Sequence, residues 1–262
     1  MLKEALGPRQ PKIGIILGSG LGSVADQIED AAIIPFEDVP HMKASTATSH
    51  AGRFVAGFLS GKQVMAMQGR LHGYEGNSSQ QIAYPVWLMH ELGVEALIVT
   101  NAVGSINESY CPGDFCLMRD HINFTGRNPV MGLEPDKLAD RFFTMHEPYD
   151  AELRNLARAA ALDLKIPLHE GVYLGLSGPS FETAAEIRAF GIWGADTVAM
   201  SVCEEVIAAR HVGMRVLGLS LVVNKACGVG GANPLEDDPL AVAKAREGDF
   251  CRLIGNIVSR MP

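Results

Sequence analysis

No stretch of the chain approaches the ~20 consecutive apolar residues that a membrane-spanning helix requires. Its opening residues, MLKEALGPRQPK, lack the apolar core of a secretory signal. Basic residues are not in excess: 22 Lys and Arg stand against 30 Asp and Glu, a net charge of −8. Binding to a phosphodiester backbone needs a basic surplus, so a generic nucleic-acid surface is excluded. Any anionic ligand must be held by a few local donors working against the global field. The five cysteines, Cys111, Cys116, Cys203, Cys227 and Cys251, contain no C-x-x-C pair. An odd count without that spacing argues against a disulfide framework and against a structural zinc site. The expectation is a cytoplasmic protein with reduced thiols, no metal, and neither nucleic acid nor membrane as partner.

The 262 residues are 47% hydrophobic and 20% charged, enough to bury a substantial core and incompatible with a disordered chain. No repeat, low-complexity tract or Ser/Gly linker divides them, so one domain over residues 1–262 is expected. Short β-branched runs at Lys12–Leu17, Gln63–Gln68, Ala96–Thr100, Gly171–Leu176 and Arg215–Val223 lack strict alternation, as strands covered on both faces do. Capping-box patterns at Ser78–Gln81, Thr183–Glu186 and Ser201–Glu204 open helices running to Leu92, Phe190 and Val212. Ala151–Leu164 and Leu240–Ser259 read as further helices. Alternating strands and helices predict an α/β fold: a twisted, mixed, largely parallel sheet flanked by helices, with ligands at the carboxyl ends of its strands.

Two segments at such strand ends carry chemistry. Gly18-Ser19-Gly20-Leu21-Gly22-Ser23 follows the first strand, and its glycines let backbone N–H groups approach an anion. It reads as an imperfect dinucleotide turn with Glu37 or Asp38 as the distant acid, as a plain strand–helix turn, or as a cradle for free phosphate. Gln68-Gly69-Arg70-Leu71-His72-Gly73-Tyr74-Glu75-Gly76 places a planar guanidinium and an imidazole between glycines. Arg suits phosphate geometry, and His either donates to a phosphate oxygen or exchanges a proton with it. A solvated loop is the alternative for this segment.

Taken together and in order, these residues resemble the trimeric, low-molecular-mass purine nucleoside phosphorylases. The resemblance runs through Ile16–Gly22, Ser49-His50-Ala51-Gly52-Arg53, Gln68–Gly76, Thr100–Asn107, Gly178–Thr183, Met200-Ser201, Glu205–His211 and Asn224-Lys225, nearly the whole chain. It implies phosphorolysis of 6-oxopurine (deoxy)ribonucleosides to free base and (deoxy)ribose 1-phosphate, with inorganic phosphate as co-substrate and no cofactor. Ser19, Arg70, His72, Ser201 and the backbone N–H of Ala102 match the phosphate-binding positions. Phe181, Glu182, Val198 and Asn224 match the purine site, with His72, Glu182 and Asn224 as the catalytic set. Tyr74 and Met200 match ribose contacts, and His50 and Glu75 match supporting residues. Phe142 matches an aromatic lent by a neighbouring subunit, which implies a homotrimer; on its residue type alone it reads as core. Taken bare, Ser201 also reads as an N-cap, Glu182 as an acid entering a helix, and Asn224 as a turn residue.

The chain departs from the family in three places. No His follows His211, so the family's contact to the ribose 5′-hydroxyl is missing, and Asp237 and Asp238 in the Gly-rich, acidic segment Gly228–Asp238 are the candidates to replace it. Ser201-Val202-Cys203-Glu204-Glu205 stands where the family shows Ser-Thr-Val-Pro-Glu, and Val223 stands where a Thr precedes the base-binding Asn. The alternatives are a 5′-methylthioadenosine phosphorylase of the same fold, or a non-catalytic nucleoside- or dinucleotide-binding protein.

Overall fold

A computed structural model describes residues 2–47, 50–132 and 137–262; Ser49, part of the Ser-His-Ala-Gly-Arg motif, lies outside the described residues. The described elements are helix α1 (Leu2–Leu6), strands β1 (Ile13–Leu17), β2 (Glu29–Pro35), β3 (Arg53–Leu59) and β4 (Lys62–Gln68), helix α2 (Ser79–Glu91), and strands β5 (Ala96–Ser105) and β6 (Phe115–Asn123). They continue with α3 (Ala151–Leu164), β7 (Leu168–Gly175), α4 (Ala184–Ile192), β8 (Thr197–Ala199), α5 (Cys203–His211), β9 (Arg215–Lys225) and α6 (Pro239–Arg260).

One sheet joins all nine strands in the order β2-β3-β4-β1-β5-β8-β7-β6-β9, and β9 pairs back onto β5. The last five strands therefore close into a ring, while β1 to β4 extend from it as an open wing. The sheet is mixed: β1 runs parallel to β4 and β5, and β5 parallel to β9, whereas β2–β3–β4, β5–β8 and β6–β9 are antiparallel. Alternation along β1 divides the core. Ile13, Ile15 and Leu17 face α3 and α6 through Leu153, Ala157, Phe250 and Ile254. Ile16 faces the opposite layer of α2 and α5 through Val86, Met89, Val206 and Ala209. Both faces of the strand are thus covered, which is why its sequence is an unbroken apolar run.

Helix starts follow their caps. Ser78 accepts from the Gln81 amide and Thr183 from the Glu186 amide, each in a reciprocal capping box. Asp150 caps α3 through the Leu153 amide. The box expected at Ser201 does not form. α5 starts at Cys203, preceded by Val202 at φ 74°, ψ −47°, with no side-chain cap. The Cys203 amide donates to the Ser201 carbonyl (2.9 Å), so Ser201-Val202-Cys203 is a γ-turn. A β-branched residue at positive φ is strained, and such strain persists only where the surroundings impose it. The glycine turn after β1 also differs from expectation: a six-residue 3₁₀ segment, Gly22–Gln27, follows it rather than an α-helix. Among the described residues no helix is long and apolar enough to cross a membrane.

Candidate active site

Because β4, β1, β5 and β9 run in one direction, their carboxyl ends form a common rim, where an open α/β sheet places its ligands. A cavity of about 190 Å³ lies there. The turn after β1 brings Ser19, the segment after β4 brings Arg70, His72 and Tyr74, and β5 lines the floor with Asn101–Gly104. Val198 lies on β8 and is followed by Met200 and Ser201; β9 ends in Val223 and Asn224, and Phe181 and Glu182 come from the approach to α4.

The cavity has two chemically distinct ends, spaced by β5. At one end Arg70 Nη1 donates to the Thr100 carbonyl (2.6 Å) and to Ser201 Oγ (3.3 Å). At the other, Gly104 pairs with Val198 on one side and Asn224 on the other. Four residue steps of strand lead from Thr100 to Gly104, or ~13 Å at the usual rise per residue.

The first end is built around a buried cation. Arg70 is 1% exposed. Its Nε donates to Glu205 Oε1 (3.0 Å), while Nη2 has no hydrogen-bond partner among the described residues. Burial pushes the Glu205 carboxyl up, and the guanidinium opposes that rise. Beside it, the rings of His50, His72 and Tyr74 stack in series, with centroids 5.1 and 4.5 Å apart. Glu75 Oε1 meets His72 Nδ1 at 2.9 Å and accepts from the His72 amide (2.8 Å), and its other oxygen accepts from the Thr46 amide and hydroxyl (2.6 and 2.7 Å). Burial by itself would raise this carboxyl; the four hydrogen bonds outweigh it and hold it below the usual carboxylate range. Burial and the neighbouring Arg70 charge pull His72 down to about 4, so the ring is neutral at physiological pH. Ser201 is fixed from behind by Tyr173, whose hydroxyl donates to the Ser201 carbonyl (2.6 Å) and accepts from its amide (3.2 Å).

The opposite end is less charged. Asn224 is buried, and its amide nitrogen donates to the Lys225 carbonyl (2.7 Å), leaving a second N–H and Oδ1 for a ligand. Burial raises the Glu182 carboxyl, as does the nearby Glu186 charge. Phe181 is half exposed beside it.

Every residue expected in the phosphate, purine and ribose sets lines this cavity except Phe142. His50 and Glu75 stand behind the wall, in contact with Ser19 and His72. Phe142 is 90% exposed, which removes the core reading and leaves it free for a contact outside its own chain. Asp237 and Asp238 do not line the cavity; Asp238 instead caps α6 through the Ala241 amide (3.0 Å), and the neighbouring lining residue is Pro239, the first of α6. Glu37 and Asp38 lie exposed on a separate 3₁₀ turn, and neither lines the cavity, so the dinucleotide reading loses its acid. Ser201 is no helix cap: its hydroxyl accepts from Arg70. Sequence reasoning assigns no role to Thr46, Asn101, Tyr173 or Glu205, which support or line the site.

Residues 12–259 match the phosphorylase superfamily. Purine nucleoside phosphorylase 1 of Bacillus subtilis is 46% identical over 97% of this chain and 93% of its own length. A purine nucleoside phosphorylase (isoform 2) of Schistosoma mansoni, solved with cytosine and ribose-1-phosphate, superposes with a TM-score of 0.92 at 37% identity, covering 100% of this chain and 94% of that one. The inosine complex of a Schistosoma mansoni purine nucleoside phosphorylase matches with a TM-score of 0.92 at 34% identity, over 100% and 94% of the two chains. With this likeness over nearly its whole length, the chain belongs to the phosphorylase superfamily, among its purine nucleoside phosphorylases.

Proposed function

We propose that this protein catalyses the reversible phosphorolysis of 6-oxopurine (deoxy)ribonucleosides, guanosine and inosine foremost and xanthosine within the same class, to free base and (deoxy)ribose 1-phosphate. The observation that carries the reading is the pairing of a buried anion site at Arg70 with a Glu182–Asn224 edge reader at the far end of one cavity. Ser19, Arg70, His72, Ser201 and the Ala102 N–H hold phosphate; Phe181 and Val198 pack on the base; Tyr74 and Met200 contact the sugar. Glu182 accepts the N1–H of a 6-oxopurine, and Asn224 reaches N7 and O6.

In the transition state the bond from the anomeric carbon to N9 lengthens before phosphate bonds to that carbon. Positive charge on the ribosyl group is stabilised by the phosphate anion below it. Negative charge on the departing purine is stabilised by the Asn224 amide, whose hydrogen bond strengthens as that charge grows. This is binding specific to the transition state, the kind that raises turnover. Phosphate is the nucleophile and the co-substrate, and the scheme calls for no further cofactor. The exposure of Phe142 supports a homotrimer in which each subunit lends this ring to the sugar pocket of the next; light scattering tests that assembly. Asn224 on β9 favours a 6-oxo over a 6-amino base, against the methylthioadenosine reading.

The test is a panel of guanosine, inosine, xanthosine, adenosine and methylthioadenosine, with and without phosphate, following release of free base. Phosphate-dependent cleavage of guanosine and inosine is expected. Cleavage that proceeds equally without phosphate, or none at all, refutes the proposal. Asn224→Ala is expected to lower kcat by ~10²–10³-fold while phosphate binding survives.

A further inference from the structure

The anion end of the cavity presents donors, with one exception. His50 Nδ1 faces two donors, the Arg70 amide (3.1 Å) and the Ser45 hydroxyl (3.3 Å), against one acceptor, the Arg70 carbonyl (3.1 Å). We assign it as the accepting nitrogen, so Nε2–H donates to Ser19 Oγ (3.3 Å) and the Ser19 proton is free for a ligand. Ser201 Oγ likewise accepts from Arg70 Nη1 and keeps its own proton to give, and the buried Arg70 Nη2 awaits an acceptor. His72 is different. Its Nδ1 faces Glu75, a carboxylate already accepting from three other groups, so Nδ1 carries the ring proton. Nε2 is left as a bare lone pair on a ring that lines the cavity. The groups around the ring are Arg70, His50, Glu75 and Tyr74; two of them, Arg70 and His50, disfavour a second ring proton, and burial does the same.

We propose that His72 Nε2 reads the proton of the bound oxyanion, so that the site selects hydrogen phosphate and other tetrahedral oxyanions that carry an O–H over sulfate of the same size and charge. The inference rests on the phosphorolysis reading for its ligand and adds the protonation state. Hydrogen phosphate satisfies every group at once: its unprotonated oxygens accept from Ser19, Ser201 and Arg70, and its hydroxyl donates to His72. Sulfate has no proton in the neutral range and sets an oxygen against the imidazole lone pair. A buried mismatch of this kind weakens binding by ~10- to 100-fold.

The test is calorimetric titration of the full-length protein, free of nucleoside, with phosphate, arsenate and sulfate at pH 7.5. Phosphate and arsenate are expected to bind alike, and sulfate at least ~10-fold more weakly. His72→Gln, checked for native melting, offers an amide donor and is expected to bring the sulfate-to-phosphate ratio toward unity. ¹⁵N spectra of the phosphate complex are expected to show His72 protonated at Nδ1 alone. Equal binding of sulfate and phosphate by the wild type, an unchanged ratio in His72→Gln, or a His72 imidazolium in the complex overturns the proposal. Each of those results leaves phosphorolysis intact, whereas failure to bind phosphate at all removes both readings.

Discussion

Tyr173→Phe isolates what the γ-turn at Val202 contributes. The substitution removes one oxygen and leaves the ring, so packing is conserved and no cavity opens. Tyr173 is fully buried, and its hydroxyl joins the amide and the carbonyl of Ser201. Without it the Ser201 carbonyl keeps the Cys203 amide, but the Ser201 N–H loses its partner. Leaving one such donor unmatched in a buried setting costs ~1–3 kcal/mol. Taking ~2 kcal/mol and a urea m-value of about 3 kcal/mol/M, the unfolding midpoint falls by roughly 0.7 M. The same change frees Val202 to leave its strained backbone conformation, which swings the Ser201 hydroxyl off the anion site. The expected kinetic signature is a phosphate KM raised ~10-fold, about 1.4 kcal/mol of binding, with the nucleoside KM within ~2-fold of wild type. Denaturant melts in phosphate-free buffer and initial rates with each substrate varied in turn measure both. A lowered midpoint with an unchanged phosphate KM makes Tyr173 a purely structural residue; an unchanged midpoint refutes the account of the turn itself.

Glu205→Gln leaves the Arg70 charge without its buried counter-ion and is expected to destabilise the phosphate-free protein by ~3 kcal/mol; because phosphate then supplies the missing negative charge, the rise in Tm on adding phosphate should exceed that of wild type. In the native state His72 titrates at about 4 against 6.5 for an unperturbed imidazole. Below pH 6.5 the unfolded chain therefore takes up a proton that the native ring refuses, so stability is full above 6.5 and falls by ~3 kcal/mol as the pH drops to 4. Denaturant melts of wild type and His72→Asn across that range are expected to converge toward low pH, and parallel curves would contradict it. Gly18→Ala places a methyl 2.8 Å from Asn101 Cα and 2.9 Å from the Thr100 carbonyl, both backbone atoms that cannot step aside. It should cost ~1–3 kcal/mol in an unfolding titration and raise the phosphate KM, since β5 carries the floor of the site.

Strands β1, β4, β5 and β9 are legible in the sequence because each is covered on both faces and so reads as a continuous apolar run. β7 is read in part, as Gly171–Leu176, while β2, β3, β6 and β8 are not read. β2 exposes most of its residues, β8 has three residues, and β6 passes from buried Phe115–Met118 to the exposed or half-exposed residues 119–123, so none shows one clean period. β5 and β7 also extend beyond their expected runs: β5 through Asn101–Ser105 and β7 from Leu168. Asn101–Ser105 looks like a loop in sequence. It is a strand because β9 pairs with it along its full length and β8 pairs with its end. That pairing closes the ring, and it is a long-range event that no local pattern announces.

The site divides along the same line. Residues whose chemistry is displayed by glycines at strand ends, Ser19, Arg70 and His72, stand out in sequence as candidates for an anion site beside the readings of a plain turn and a solvated loop, and the family resemblance decides between them. Residues that act by supporting them are hidden inside ordinary-looking elements. Tyr173 reads as a core aromatic within a strand, and only its hydroxyl, spanning both polar groups of Ser201, separates it from one. Glu205 carries a signal that helix reasoning discards. In Cys203–Ala209 every residue is buried, two of them adjacent acids, and consecutive positions on a helix point about 100° apart. Two neighbouring carboxylates in a helix buried all round cannot both reach water, so each must have a cation brought to it: Arg127 for Glu204 at 3.2 Å, Arg70 for Glu205 at 3.0 Å. An acid pair in an otherwise apolar helical segment therefore marks the far side of a cationic site. Here it points, across 135 residues of chain, to the same guanidinium that the glycine-flanked motif displays.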